Sequence, residues 1–456
     1  MKKAIDKLAY LLSDSKHPSV WASFLSIVLS LLCSSILLLA LGSNPITAFK
    51  SFLQGSGFLP KASYGGGSGM LADLFTFLNY LAPMILSALS YIVGAQAGLF
   101  NIGISGQMLA AGFCATALVG YADLNPVVAK LLVVIVGMVV GGLLGAFIGF
   151  LKYKFNISEV VSTIMVNYII NYLTGFAINN YYKNTVTRSM NAVSTEARLT
   201  LMDIDIGGVS CDVPLGIILA IIAAVIVKFI MDKTVFGLEL KGVGMNRDCA
   251  EYTGIKVGNR LVAAMAISGM LAGIAGVTYY CGYVNTIYPK TLPAMGYDAI
   301  TVALLGNNNA IGSIFAAVLV SIFQVGADYM SSQLGVVKEI ASLITGILLL
   351  FSACVSYFRY LASRRLRRNE DEAARQAKLA EAAAGEDGAT SEVMLNVSES
   401  EVSETPEVLA ADAPEEAPPS GEASAGSDSG YNDEDAASGD QTPPVEDAGK
   451  EDEPNA

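Results

Sequence analysis

The sequence predicts an all-α polytopic membrane protein with about ten transmembrane helices, both termini in the cytoplasm and a disordered acidic C-terminal tail. Only 15% of its 456 residues are charged and 53% are hydrophobic, whereas about 25% of the residues of a soluble domain are charged. Several nearly uncharged runs of roughly 18 or more residues follow one another, and this is the length that crosses a hydrocarbon core of about 30 Å.

The apolar runs place the predicted spans one after another along most of the chain. They cover residues 20–41, 75–93, 106–123, 127–150, 159–181, 213–231, 261–281, 295–306, 311–330 and 339–358. The first run is too long for the apolar region of a cleaved signal peptide, and no A-x-A cleavage motif follows it. The eighth is the shortest, because Pro289, Pro293 and Gly296 interrupt its start.

Lysine and arginine residues predict the orientation, because loops that stay in the cytoplasm are enriched in them. With the N-terminus inside, the inner loops and span ends hold 17 of these residues before the tail, and the outer ones hold 8. Omitting the short eighth span would move the basic run at 364–368 to the outside, against this rule. The charge distribution therefore favours an even number of spans.

A change of composition after the last span divides the chain. The predicted parts are a cytoplasmic N-terminal segment at 1–19, a transmembrane domain at 20–360, a basic and then charged juxtamembrane helix at 361–384, and a disordered acidic tail at 385–456. From residue 369 onward the chain has 25 acidic and 3 basic residues, whereas the preceding part carries a net charge of about +9. Such an acidic segment, poor in apolar residues, cannot bury enough surface to fold. The adjacent basic run is expected to bind anionic lipid headgroups.

The sequence contains none of the common catalytic motifs. No G-x-x-x-x-G-K-[ST] phosphate loop, G-x-S-x-G elbow or H-E-x-x-H pair occurs. The six cysteines are scattered without a C-x-x-C pair, and the single histidine, His17, precedes the first span. We therefore expect no enzymatic activity, no cofactor, no metal site and no nucleic-acid partner.

Neutral amides are the main polar side chains of the predicted spans and their breaks. They are Gln96, Asn101, Gln107, Asn167 and Asn171. An unpaired amide in hydrocarbon is costly, so each must face another polar group, water or a solute. Acidic residues are rare in the spans and lie near span ends, as Glu159, Asp298 and Asp328 do. This pattern suits a neutral polar solute better than coupling to ions.

The stretch GLFNIGISGQ (98–107) interrupts a long apolar region with three glycines and two amides. Non-helical backbone at membrane depth is tolerated only where protein covers it or water reaches it. Asn101 and Gln107 either tie the broken helix ends together or line the path of the solute. A second interruption, GNNNAIG (306–312), lies between the eighth and ninth spans, and interruptions in both halves of a transporter point to its site.

Seven residues are candidates for the solute pathway. They are Phe100, Asn101, Gly103, Gln107, Asn167, Asn171 and Asn307. Asn167 and Asn171 lie one helical turn apart and also fit hydrogen bonding between helices.

The longest inner loop between spans, 232–260, contains GMNRDCAEYTGIKVGNR. Asn246 is a favourable N-cap and Gly254 a favourable C-terminal stop, so the loop predicts one polar helix of about seven residues. This helix is too polar for lipid and too short to be stable alone in water. It is either a docking element for a separate motor protein or a plain interfacial connector. The candidate docking residues are Asn246, Arg247, Glu251, Tyr252 and Gly254.

Glycines recur every four residues in the fourth predicted span. They are Gly137, Gly141, Gly145 and Gly149. A face of small residues lets a second backbone approach closely. The expected partner is another helix of the same chain, and a seam between two subunits is the alternative.

Four segments stand out in order along the chain: AGLFNIGISGQMLAAG (97–112), SEVVSTIMVNYI (158–169), GMNRDCAEYTGIKV (244–257) and GYDAITVALLGNNNAIG (296–312). Together they resemble the integral permease subunits of bacterial ABC importers, a group that includes branched-chain amino acid and sugar permeases. The G-L-F-N-I-G-x-x-G-Q form is similar to the nucleoside-type members. The resemblance covers 20–360 and leaves the tail unmatched.

The resemblance implies a multi-pass subunit of the bacterial cell membrane that pairs with a second, similar permease as a heterodimer. Cytoplasmic ATPase subunits would dock on the loop at 246–255, and ATP binding and hydrolysis would switch the spans between outward-open and inward-open states. An extracytoplasmic binding protein, often a lipoprotein, would deliver a nucleoside to the outer surfaces at 42–72 and 182–212. Sugars or branched-chain amino acids are the alternative solutes, and an ion-coupled secondary transporter is the alternative class.

Overall fold

The computed structural model describes residues 9–10, 12, 18–61, 69–122, 124–184, 187–205, 210–335, 337 and 339–386. Almost all of the predicted acidic tail and most of the predicted N-terminal segment lie outside these residues. The disorder of the tail and the positions of the termini therefore stay predictions.

The described chain is mostly helical, in agreement with the prediction. Its helices are α1 (Pro18–Ala40), α2 (Pro45–Gly55), α3 (Gly69–Gln96), α4 (Ile104–Leu118), α5 (Pro126–Phe155), α6 (Glu159–Ala177), α7 (Gly216–Lys233), α8 (Val235–Met245), α9 (Arg247–Tyr252), α10 (Val257–Thr278), α11 (Met295–Leu305), α12 (Ala310–Leu334), α13 (Ile340–Ala353) and α14 (Val355–Glu386). Single π-helical turns, Ile178–Tyr182 and Tyr279–Tyr283, extend α6 and α10.

A β-hairpin is the exception to the all-α prediction. Strands β1 (Thr200–Asp205) and β2 (Ser210–Pro214) pair antiparallel, with Thr200 opposite Pro214 and an irregularity between Leu201 and Ile204. The prediction missed it because this segment, 200–214, lies between two long apolar runs and has no strong alternation of its own. The hairpin lies within the predicted outer surface at 182–212.

Helices occur at all ten predicted span positions, but they differ in length. Among the described residues, seven helices are long and apolar enough to cross a membrane, and two shorter apolar ones are Ile104–Leu118 and Met295–Leu305. At 1.5 Å per residue, 15 and 11 residues fall short of a 30 Å core. Helix α7 has Lys228, Asp232 and Lys233 at its end. The count of ten spans stays a prediction.

Helix starts follow local capping rules. Asn44 precedes Pro45 at the start of α2, and Asn125 precedes Pro126 at the start of α5; each asparagine oxygen accepts a hydrogen bond from the second backbone N–H of its helix. Proline suits the first helical position because that position needs no N–H partner. Gly335, with φ of +64°, ends α12 in the left-handed conformation that glycine adopts without strain.

Helix α3 forms the centre of the bundle. Every residue at 81–94 is buried, so its apolar surface is covered on all sides, as expected for a helix that is hydrophobic all round. Helices α4, α7, α10, α11 and α12 surround it. The break that follows α3 therefore begins three residues after this fully buried run ends at Gly94.

The glycine face of α5 packs against α10 of the same chain. A β-carbon on Gly137 would lie 3.0 Å from the carbonyl oxygen of Gly273, and one on Gly145 would lie 3.0 Å from Cα of Gly269. Gly141 and Gly149 continue the contact along the same helix pair. Close backbone approach through small residues holds helices together where lipid supplies no hydrophobic drive.

Helix α2 was not predicted, and it lies within the other predicted outer surface, 42–72. Its Phe52 is buried with the ring 5.3 Å from that of Phe323 on α12. Gly326 meets the backbone of Phe52 so closely that no β-carbon fits there. Residues 45–55 are thus packed against the bundle along one face.

Candidate functional site

The chain reverses direction between α3 and α4 through a non-helical segment, 97–103, called here the first break. The backbone N–H groups of Ala97 and Leu99 both donate to the carbonyl oxygen of Gly94 at 3.0 Å, which ends α3. Gly98 between them has φ of +69°. Glycine adopts this conformation at little cost. The residues that follow the turn contact α4, α6 and α10.

Asn101 fastens the first break to its surroundings. Its side chain is fully buried. Its Oδ1 accepts from the Gly103 backbone N–H at 2.9 Å, and its Nδ2 donates to Ser268 Oγ at 2.8 Å and to Gln107 Oε1 at 3.3 Å. One amide thereby connects the break to the start of α4 and to the middle of α10.

Asn167 on α6 holds the opposite side of the first break. Its Oδ1 accepts from the Gly106 N–H at 2.9 Å, and its Nδ2 donates to the Ile102 carbonyl oxygen at 3.0 Å. Both backbone groups lie at a helix start, where helical partners are missing. A β-carbon on Gly106 would be 2.5 Å from Asn167 Oδ1, so this bond requires glycine.

Two amide atoms near the first break have no hydrogen-bond partner among the described residues. They are Nε2 of Gln107, whose side chain is fully buried, and Oδ1 of Asn171, one turn beyond Asn167. Buried polar atoms are almost always paired. These two atoms, one donor and one acceptor, each keep an unused hydrogen-bonding position.

The other candidates in the first break lie at its margins. Phe100 is 40% exposed, and its ring packs edge-on against Tyr91 with centroids 5.4 Å apart. Gly103 is the N-cap of α4 and faces Thr163 of α6. A β-carbon at Gly103 would lie 3.2 Å from the Thr163 side chain. Glycine at this position therefore lets α4 and α6 approach closely.

The polar helix predicted in the inner loop is present as α9, with six residues. Asn246 Oδ1 accepts from the Cys249 N–H at 2.9 Å, which is the N-cap interaction expected from the sequence. Gly254 has φ of +85° and ends the helix region. Glu251 is exposed and Tyr252 is 93% exposed, so α9 presents an acidic and an aromatic side chain away from the protein.

Helix α9 and the first break touch each other. The preceding helix also contacts it: a β-carbon on Gly98 would lie 3.1 Å from Cα of Gly244, near the end of α8. Arg247 Nη2 donates to the Gly98 carbonyl oxygen at 3.4 Å. The end of α8 and the start of α9 therefore both contact the turn at Gly98.

The second break, residues 306–309, lies close to the first. Gln96 Nε2, at the end of α3, donates to the Asn308 carbonyl oxygen at 3.2 Å. Asn307 and Asn308 both have positive φ, of 55° and 51°, and Asn309 caps α12. Asn307 is exposed, so it lies apart from the buried amides of the first break.

A small cavity of about 180 Å³ opens beside the second break. Its wall includes Asn307 and the ionic cluster in which Asp232 binds Lys241 at 2.9 Å and Lys228 at 3.5 Å. The buried amides Asn101 and Gln107 are not among its lining residues.

The structure brings four of the seven predicted pathway residues into one cluster: Asn101, Gly103, Gln107 and Asn167. Asn171 lies one turn away, and Phe100 and Asn307 lie outside it. Sequence reasoning missed Ser268, which joins Asn101 to α10, because a serine in an apolar span gives no specific signal. It also missed Gly244, although this glycine lies only two residues before the N-cap of the predicted helix. Within the described residues, no group of three or more metal-ligating side chains occurs.

Comparison with known proteins identifies the family. Residues 74–353 match the model of the branched-chain amino acid transport system / permease component. The nucleoside ABC transporter permease protein NupB of Lactococcus lactis is 33% identical over 347 residues, which cover 75% of this chain and 92% of the relative. The guanosine ABC transporter permease protein NupP of Bacillus subtilis is 32% identical over 75% of this chain and 94% of its own length. The nucleoside ABC transporter permease protein NupC of Lactococcus lactis is 24% identical over 58% of this chain and 84% of its own length.

The matched region contains both breaks, helix α9 and the α5–α10 glycine contact. This chain belongs to the branched-chain amino acid transport system permease family and is a multi-pass permease subunit of an ABC transporter in the cell membrane, not an enzyme.

Proposed function

We propose that this subunit forms the pathway of an ABC importer for nucleosides, and that the first break is its gate. The observation that carries the proposal is that the first break contacts both the buried amide cluster and helix α9. Asn101 places the segment in an amide cluster, and Gly98 joins it to α9. The names of NupB and NupP support a nucleoside as the solute.

The chemistry of the amide cluster suits a neutral solute with its own donors and acceptors. Nucleosides carry hydroxyl groups on the sugar and hydrogen-bonding edges on the base, and amides match both. Gln107 Nε2 offers a free donor and Asn171 Oδ1 a free acceptor. A site that hydrogen-bonds its substrate rejects solutes that would leave such groups unpaired.

Helix α9 has the properties of a docking element for a cytoplasmic ATPase. Tyr252 and Glu251 extend outward, and an exposed aromatic side chain is a common anchor in protein interfaces. ATP binding by the docked subunit would move α9, and Gly244 and Arg247 would transmit the motion to Gly98. The amide cluster would then open and close as a unit.

The remaining partners follow from the same proposal. A second, non-identical permease would complete the membrane part, since NupB and NupC of one organism are both similar to this chain. An extracytoplasmic binding protein, often a lipoprotein, would deliver the nucleoside to the outer surfaces 42–72 and 182–212. The predicted orientation, with both termini in the cytoplasm, would place α9 on the side of the ATPase.

Uptake into proteoliposomes tests the function. The assembled importer should accumulate labelled uridine or guanosine when ATP is present, with no ion gradient and with an ionophore added. Unlabelled nucleosides should compete, whereas glucose and leucine should not. Uptake that needs an ion gradient would overturn the ABC assignment, and competition by glucose or leucine alone would overturn the nucleoside assignment.

The double variant Glu251→Arg with Tyr252→Ala tests docking. We expect loss of ATPase binding in a pull-down and loss of uptake, with normal membrane insertion. The matched control is Glu370→Arg with Tyr360→Ala, which changes the same residue types at exposed positions of α14. Uptake that survives the α9 change would show that the ATPase docks elsewhere.

Asn101→Leu and Gln107→Leu test the pathway. Each replaces an amide by an apolar side chain of similar size, so the complex should still assemble while nucleoside uptake falls about tenfold, the equivalent of about 1.4 kcal/mol. Asn180→Leu, an exposed amide at the end of α6, serves as the control. Unchanged uptake in both variants would place the pathway elsewhere.

A further inference from the structure

A groove separate from the two breaks lies between α1, α14 and the residues that precede α1. Its volume is about 700 Å³. One part of its lining is apolar and includes Leu12, Leu25 and Phe358; the other part is basic and consists of Arg364, Arg365 and Arg368. This groove takes no part in the transport proposal above.

The lining changes from apolar to basic along one helix. Phe358, Leu361, Ala362 and Arg365 are spaced by three and four residues on α14, so they share one face. At 1.5 Å per residue, about 10 Å separates the level of Phe358 from that of Arg365. The apolar part rests on a small cluster of its own, which contains Leu12, Ala22, Val355 and Ala362.

The basic part of the groove carries an excess of positive charge. Arg368 Nε pairs with Glu372 Oε1 at 3.1 Å, and Glu372 is the single acidic residue of the lining. Arg364 is exposed and forms no ion pair within the described residues. Arginine side chains bind phosphate oxygens through two parallel N–H groups, so this end suits a phosphate ester.

The groove lies where α14 leaves the apolar sequence of the last span. Basic residues directly after a span lie at the level of the cytoplasmic headgroups, which carry negative charge. We propose that the groove binds one anionic phospholipid of the cytoplasmic leaflet. Its phosphate would contact Arg364 and Arg368, and an acyl chain would lie against Leu25 and Phe358.

Lipid binding to the purified full-length chain tests the site. Native mass spectrometry in detergent would compare phosphatidylglycerol with phosphatidylcholine of the same acyl chains. The wild-type chain should retain phosphatidylglycerol more tightly, on the order of tenfold, because each nearby basic residue favours an anionic lipid. Arg364→Gln with Arg368→Gln should remove this preference.

The matched control removes the same charge from the same helix outside the groove. Arg359→Gln with Arg367→Gln should keep the preference, since neither residue lines the groove. An equal loss in both double variants would show general attraction of lipids to a basic helix and would overturn the proposal. Equal binding of the two lipids to the wild-type chain would overturn it as well.

Two further measurements on the full-length chain identify the occupant. Inorganic phosphate at millimolar concentration should leave bound phosphatidylglycerol in place; displacement by phosphate would identify a site for a soluble phosphate compound instead. A photoreactive amino acid at Leu361, a groove residue, should crosslink to added phosphatidylglycerol. Crosslinks to peptides from 387–456 in place of lipid would identify the acidic tail as the occupant.

Discussion

The two breaks of this permease both contain glycine and asparagine, but their asparagines have different surroundings. In the first, Asn101 is fully buried and its amide binds groups on α4 and α10. In the second, Asn307 is exposed and contributes a left-handed backbone conformation. An asparagine in a break thus has two uses. A buried one replaces missing helical hydrogen bonds, whereas an exposed one mainly permits a tight turn.

Among the variants that test the difference between the two breaks, Gly106→Val should have the largest effect. Gly106→Val would drive side-chain atoms into Asn167, whose Cα would lie 2.9 Å from the new β-carbon. Overpacking of a tight contact costs about 1–3 kcal/mol, and the bond that ties α6 to the first break would be lost too. The yield of monodisperse protein after solubilisation should fall about tenfold. Gly346→Val, where no atom lies within 4 Å of a β-carbon, should keep the wild-type yield. Equal yields would show that the first break is looser than its contacts indicate.

Replacement of each asparagine by glycine compares the breaks directly. Asn101→Gly removes the bonds to Ser268 and Gln107 and leaves buried polar groups unpaired, at about 1–3 kcal/mol. We expect about a tenfold loss of nucleoside uptake. Asn307→Gly keeps the left-handed conformation at no steric cost, so its uptake should stay within about twofold of wild type. Similar losses in both variants would contradict the distinction between the breaks.

Arg247→Gln tests whether α9 acts on the first break. Its bond to the Gly98 carbonyl oxygen is long, 3.4 Å, and exposed, so its loss should cost about 0.5–1.5 kcal/mol. Uptake should fall about threefold, while ATPase binding in a pull-down stays normal. Lys256→Gln, which removes a charge just beyond α9, is the control. Loss of ATPase binding in Arg247→Gln would instead make Arg247 part of the docking surface.

The smallest effect is expected at the link between the breaks. Gln96→Ala removes the hydrogen bond to the Asn308 carbonyl oxygen, and a partly exposed bond of this kind contributes about 0.5–1 kcal/mol. A small decrease in thermal stability, measured by light scattering on heating, should accompany nearly normal uptake. A large loss of uptake would show that the two breaks move together as one gate.

Local features of the chain were predicted well. Helix α9 begins after Asn246 and ends before Gly254 as expected, because capping and left-handed stops depend on only a few neighbouring residues. The weak eighth span is a helix, Met295–Leu305. The hairpin of β1 and β2 and the packed helix α2 were missed, since their stability comes from contacts with distant segments and their own sequences are too short to specify them.

The candidate site shows the same division between local features, which the sequence predicts, and contacts between distant residues, which it does not. Polar groups in an apolar span must find partners, which is why the sequence singled out the amides; their role in the pathway stays a prediction. The sequence left two roles open for Asn101 and Gln107: they either tie the broken helix ends together or line the pathway. In the structure Asn101 ties the break to α4 and α10, while Gln107 keeps an unpaired Nε2. Ser268, separated from Asn101 by more than 160 residues, could not be paired with it from spacing alone.

The sequence by itself determined the membrane class, the family segments, the polar helix and the places where helices break, because these depend on composition, length and local backbone preference. Only the tertiary structure decided that Gly98 contacts Gly244, that Asn167 hydrogen-bonds to the first break and to α4, and that Phe358 and the arginines of α14 line one groove. These contacts join residues far apart in the chain, and close packing of the helices brings them together.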